Sequence, residues 1–157
     1  MVWQDSMQRI GLLLALILTL GLAVRPGAAV AQSAPAAVAG PWTIAAIEPA
    51  PWAATHPPDR RMIGSTIGFL DGRMTGPNAF TCGGAQYETV QSEPRGLFQG
   101  GLAEASAERD AAALGIAPLT TTYRVTCDTG SFDFHEARDG LVIGYDNQIL
   151  RLRRAGR

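Results

Sequence analysis

"TTTYRVTCDTGSFDFHEARDGLVIGYDNQILRLRR", Thr120–Arg154, decides the fold of this chain. Tyr123, Val125 and Cys127 alternate onto one face, and "DTG" turns the chain. Phe132 and Phe134 repeat the pattern, with Asp133 and His135 on the opposite face. "RDG" turns again; Leu141, Ile143 and Tyr145 follow, then "DN", then Leu150 and Leu152. Period-two alternation broken by short Gly, Asp and Asn turns specifies antiparallel strands joined as a meander.

Upstream, the signals are of the same kind. "WTIAAI", Trp42–Ile47, reads as a first strand. "EPAPWAATHPPDR", Glu48–Arg60, is a loop, because its four prolines remove ladder donors and restrict the residues before them. "STIGFLDGRMTG" reads as a hairpin turning at Asp71-Gly72, with Ser65, Ile67 and Phe69 on one face. Short strands at Phe80–Cys82 and Gln86–Val90 flank Gly83-Gly84. One helix interrupts them, "LAEASAERDAAALG", Leu102–Gly115, with acids in its first turns and Gly115 placed to end it. The sum is about seven to eight strands and one short helix. The fold class is mainly β, a small antiparallel barrel or a strongly bent meander sheet.

The N-terminus points to a compartment. Arg9 precedes an uncharged apolar run, Ile10–Val24, and "AVA" at Ala29–Ala31 follows it. A basic start, a short apolar core and a small-residue exit are the marks of an export signal. The expected organisation is a signal peptide over 1–31, a flexible linker over 32–40 and a single β-rich domain over 41–154. No stable membrane span is expected once the signal is removed, and the location is periplasmic or secreted.

Composition narrows the chemistry. The chain has 13 basic and 14 acidic residues, a net charge of −1, and no basic stripe of the kind nucleic acid requires. It contains no lysine, which excludes Schiff-base catalysis and a Walker-type phosphate lysine. Its two cysteines, Cys82 and Cys127, are expected to pair in an oxidising compartment. Closing a loop of about 44 residues would contribute roughly 4 kcal/mol in the loop-entropy account. The alternative, a reactive thiol, needs a cation or histidine nearby, and His56 and His135 sit in no recognisable cysteine-hydrolase setting.

Asp133, His135 and Glu136 invite an acid–base or metal reading. Two groups on one strand do not make a zinc site, which needs three or four convergent ligands. Their other reading is a solvated strand face. No cofactor is expected. Trp42 and Trp52 each follow a proline; Trp42 reads as core, whereas Trp52, in the proline-rich loop, could line a ligand or partner surface. A possible binding surface is therefore Trp52, His56, Asp133 and His135. Arg151, Arg153 and Arg154 read as a basic strand edge that discourages edge pairing.

"GPWTIAAIE", "IGFLDGRMTG" and "CGGAQY" together resemble META-type domains, small exported bacterial domains related to a heat-shock lipoprotein. Trp42 matches their opening strand, and Gly76, Cys82 and Tyr87 match a later segment loosely. The glycine and cysteine are spaced further apart here, and no asparagine follows the cysteine. "YRVTCDTGSFDF" is similar to the small β-barrel inhibitors of C-type lysozyme, without their inhibitory loops. The resemblance implies a fold class and a compartment, not an activity. The leading functional expectation is a non-enzymatic binding or envelope-stress module, contacting an unknown protein or small apolar ligand. The alternative is an inhibitor of a cell-wall hydrolase such as lysozyme. A hydrolase is the third reading, and it requires Asp133 and His135 to converge with another polar group in a cleft.

Overall fold

In chain order the strands are β1 (Gly40–Pro49), β2 (Thr66–Leu70), β3 (Arg73–Thr75), β4 (Cys82–Gly83), β5 (Gln86–Ser92), β6 (Thr120–Cys127), β7 (Gly130–Ala137), β8 (Gly140–Tyr145) and β9 (Gln148–Arg154). Among the described residues the one α-helix, α1 (Ala107–Ala113), lies between β5 and β6. This computed structural model describes residues 32–55 and 57–156. The expected signal peptide, its cleavage point and His56 lie outside the described residues.

All nine strands join one antiparallel sheet in the order β4-β3-β2-β1-β9-β8-β7-β6-β5. The sheet curls into a half-barrel, so the expected bent β architecture is the one observed. The meander β6–β9 forms with the expected inward set. Tyr123, Val125, Phe132, Phe134, Leu141, Ile143, Leu150 and Leu152 are all buried in one core.

β1 departs from simple alternation. Ile44 pairs with Leu152 and Ala46 with Arg151, so Ala45 is an extra residue. This bulge turns both Ile44 and Ile47 into the core, three positions apart. On the concave side, Phe69 meets Phe134 edge-on with centroids 4.8 Å apart, and Phe80 lies 5.3 Å from Phe132 and 4.9 Å from Tyr145. Each such buried ring removes enough apolar surface from water to contribute about 2–3 kcal/mol.

The sheet ends, β4 and β5, do not pair as a ladder, yet three devices tie them. Cys82 and Cys127 form a disulfide, their Cα atoms 5.8 Å apart, joining β4 to the strand beside the opposite edge. The Tyr87 hydroxyl lies 2.8 Å from the carbonyl oxygens of both Leu70 and Arg73, to which it donates across the gap. The Gln32 side chain donates to the Tyr87 carbonyl at 2.6 Å and accepts from the Tyr87 amide at 3.0 Å. The Gln32 carbonyl accepts from Gly72 at 2.9 Å on the β2–β3 turn. Gly84, at φ +67°, makes the sharp passage from β4 to β5.

The stretch 32–40, expected as a linker, is packed. Val38 is fully buried, and its carbonyl accepts from the Trp42 indole N–H at 2.8 Å. The Arg154 guanidinium lies 4.7 Å over the Trp42 ring and donates to the carbonyls of Ala37 and Ala39. Nor do Arg151, Arg153 and Arg154 guard an edge. β9 is central, paired to β1 on one side and β8 on the other.

A second layer covers the convex face. Leu97, Phe98, Leu102, Ala107, Ala111, Leu114 and Ile116 pack with Ala50 and Ala53 on Val142 and Ile149. The helix is shorter than expected: Leu102 belongs to this layer from a preceding turn. Its C-terminal end is as expected. Gly115, at φ +79°, donates to the Ala112 carbonyl and Ile116 to the Ala111 carbonyl, which is the Schellman arrangement. No helix among the described residues is long and apolar enough to cross a membrane.

Candidate functional site

Asp133 and His135 do not form a solvated strand face. Both are buried, His135 completely, because the segment Pro94–Gly100 crosses over the outer side of β7. This strap runs as a 3-10 turn interrupted at Leu97, with Phe98 and Gln99 both left-handed, at φ 53° and 58°. The Phe98 amide donates to His135 Nε2 at 3.1 Å. The ring proton therefore sits on Nδ1, which donates to Thr122 Oγ1 at 2.7 Å, and that hydroxyl donates to Ser92 Oγ at 2.8 Å. Burial holds the His135 pKa down to about 4; the Arg124 charge pushes the same way and Asp133 opposes it. His135 is a neutral crosslink with both nitrogens in use.

Asp133 is likewise committed. Arg124, its cross-strand neighbour, donates Nε to Oδ1 at 2.8 Å and an Nη to Oδ2 at 3.1 Å. This two-point pairing satisfies a carboxylate that burial would otherwise penalise. Glu136, on the other face, accepts from the Tyr123 hydroxyl at 2.6 Å. Burial and that carboxylate raise the phenol to about 12. Among the described residues, no group of three or more His, Cys, Asp or Glu side chains converges on a metal position.

The structure does join Trp52 to His135, through a residue the sequence reading passed over. Phe98 meets the His135 ring edge-on at 4.8 Å and the Trp52 ring at 5.5 Å on its other side. The Trp52 ring also rests on Gly144 and Gly101, where an added Cβ would come within 3.1–3.3 Å of a neighbouring atom. Trp52 remains 40 % exposed at the top of this stack. It is a braced aromatic tip.

A larger concavity lies at the other end of the second layer, where α1 ends over the β7–β8 turn. One hollow, of about 310 Å³, is lined by the end of α1, the turn Arg138–Asp139 and the outer faces of β8 and β9. A second, of about 550 Å³, continues under Ile116–Thr121. The two share Ala112, Gly115, Ala137 and Arg138. The space exists because the facing positions carry alanine and glycine. The Arg138 amide donates to the Gly115 carbonyl at 2.9 Å and fixes the wall between them.

Three arginines line the first hollow, in different states. Arg151 bonds Glu48 at 2.8 Å and donates to the Leu114 carbonyl at 2.9 Å. Arg138 and Arg153 are exposed, and neither guanidinium has an ion-pair partner among the described residues. Leu119, 59 % exposed, borders the second hollow. The sequence marked Arg138 only as part of an "RDG" turn, and Arg153 only as part of a basic strand. Comparison with protein-family models, with curated proteins and with solved structures finds no match to this chain.

Proposed function

We propose that this chain is a non-enzymatic binding module of the bacterial cell envelope, receiving its partner on the convex side of the half-barrel. One observation carries the reading: the concave side is filled by its own aromatic and aliphatic side chains, while the convex side offers two adjoining hollows of ligand size. Export is supported by the signal-like N-terminus and by the Cys82–Cys127 bond, a cross-link favoured in oxidising compartments. The experiment is backbone-amide NMR of the oxidised domain, titrated with fractionated small molecules from a periplasmic extract. Shifts are expected at Ala112–Gly115 and Ala137–Leu141. Shifts confined to the concave strands would sink the reading. Fractionation of cells expressing the full chain tests export, with recovery in the reducing cytosol as the adverse result.

A second reading, inhibition of a cell-wall hydrolase, is favoured by Trp52. A half-exposed indole braced by Phe98, Gly101 and Gly144 is a rigid tip suited to an enzyme cleft. It requires co-elution with a C-type lysozyme on a sizing column, lost in Trp52→Ala.

A further inference from the structure

We infer that the paired hollows take a soluble, single-chain amphiphilic anion. Its carboxylate or phosphate head lies between Arg138 and Arg153, and its apolar tail lies along Ile116, Ala137 and Leu119. The inference rests on the convex-side reading above and adds the ligand class to it.

The first support is the state of the arginines. A helix C-terminus ordinarily draws nearby cations to its free carbonyls. Here that demand is already met. Gly115 and Ile116 donate to Ala112 and Ala111, Arg151 donates to Leu114, and the Arg138 amide donates to Gly115. The guanidinium groups of Arg138 and Arg153 are left with no acceptor among the described residues, on the rim of a hollow, each a planar fork suited to an oxyanion.

The local charges agree. Arg151 is offset by Glu48; Glu136, which keeps its charge while accepting from the Tyr123 hydroxyl, lines the second hollow and not the first. Asp139, exposed on the β7–β8 turn, is the one further carboxylate lining the first hollow. Within the first hollow two unmatched cations thus face one anion, leaving room there for one ligand charge.

The shape of the second hollow supplies the tail. Ile116, Ala117, Pro118, Leu119 and Ala137 give it an apolar side that runs on from Arg138. Leu119 is the most exposed large apolar side chain among the described residues, and it stands where a tail would cover it. A purely hydrophilic anion would leave that side unused, and a neutral hydrocarbon would leave both guanidinium groups unused.

The test uses the oxidised domain and four probes below their micelle concentrations: octanoate, octyl phosphate, 1-octanol and inorganic phosphate. Octanoate or octyl phosphate is expected to shift amides of both hollows, and which binds tighter distinguishes carboxylate from phosphate. Octanol and inorganic phosphate are each expected to bind at least about tenfold more weakly. The double substitution Arg138→Gln/Arg153→Gln should weaken octanoate binding by about tenfold or more with the melting temperature unchanged. Leu119→Ser should weaken octanoate and leave inorganic phosphate unaffected. Octanol binding as tightly as octanoate, or a double variant that binds octanoate normally, overturns the anion and leaves the convex-side reading standing. Sedimentation with anionic phosphatidylglycerol vesicles in the absence of octanoate binding overturns the soluble ligand in favour of a bilayer. Shifts on the concave strands, or none with any probe, overturn both the ligand class and the face.

Discussion

Phe69, Phe80, Phe132 and Phe134 fill the concave side of the sheet with interlocked rings. On the convex side, Ala50, Ala53, Ala107 and Ala111 occupy much of the corresponding layer, and the one aromatic ring in its buried cluster, Phe98, sits on a left-handed backbone. The concave layer is closed by a disulfide; the convex layer is held to the sheet by the Phe98 amide on a buried imidazole. Dense packing and a covalent clasp make a scaffold. Small side chains and a polar latch make a cover that leaves hollows, and binding space is found only where packing has been given up.

The comparison predicts that damage to the clasp exceeds damage to the cover. Cys82→Ala/Cys127→Ala should lower the unfolding free energy by about 4 kcal/mol, measured by denaturant titration. A loss under about 1 kcal/mol would mean that the ladder and Tyr87 close the half-barrel without the bond.

Acid attacks the cover instead. As pH falls from 6.5, the unfolded chain protonates His135 while the folded chain resists until about 4. Stability should therefore fall through that window, by up to about 3 kcal/mol, and this contribution should level off below it. His135→Gln, followed by thermal unfolding between pH 7 and 4, should flatten the slope; an unchanged slope would assign the acid sensitivity elsewhere.

Tyr87→Phe removes a hydroxyl shared by two carbonyls and should cost about 1–2 kcal/mol in the same denaturant assay. A smaller value would show that Gln32 and the disulfide alone hold the sheet ends. Gln99→Gly should have the smallest effect and the opposite sign. Gln99 sits at φ 58° and its side chain makes one long contact, 3.5 Å to the Ser131 carbonyl. Relief of the backbone should raise stability by about 0.5–1 kcal/mol; destabilisation would show that this side chain anchors the strap.

These regions were unequally legible in sequence. The meander β6–β9 could be read directly, because each inward residue is two positions from the next and each turn carries Gly, Asp or Asn. The bulge at Ala45 could not, because nothing in "TIAAI" distinguishes an extra residue from a continuing strand. Arg151 and Arg153 were misread as an edge because sheet order is set by pairing between distant segments. His135 was misread as exposed for a similar reason: what buries it is a strap 37 residues earlier in the chain. Phe98 and Gln99 carry no glycine-like signature for their left-handed backbone. The convex hollows were invisible because they are made by alanines, whose local signal is only helix.

Gln32 has a consequence beyond closing the sheet. An open strand edge is a template on which a second chain can add, and long unguarded edges seed aggregation. At one end of this sheet, β4 is only two residues long and is bonded covalently to Cys127. At the other, the Gln32 amide presents its own carbonyl and N–H to Tyr87, the partners an incoming strand would bring. The protein thus carries a one-residue decoy strand, and the place where a foreign chain would begin to pair on β5 is already taken.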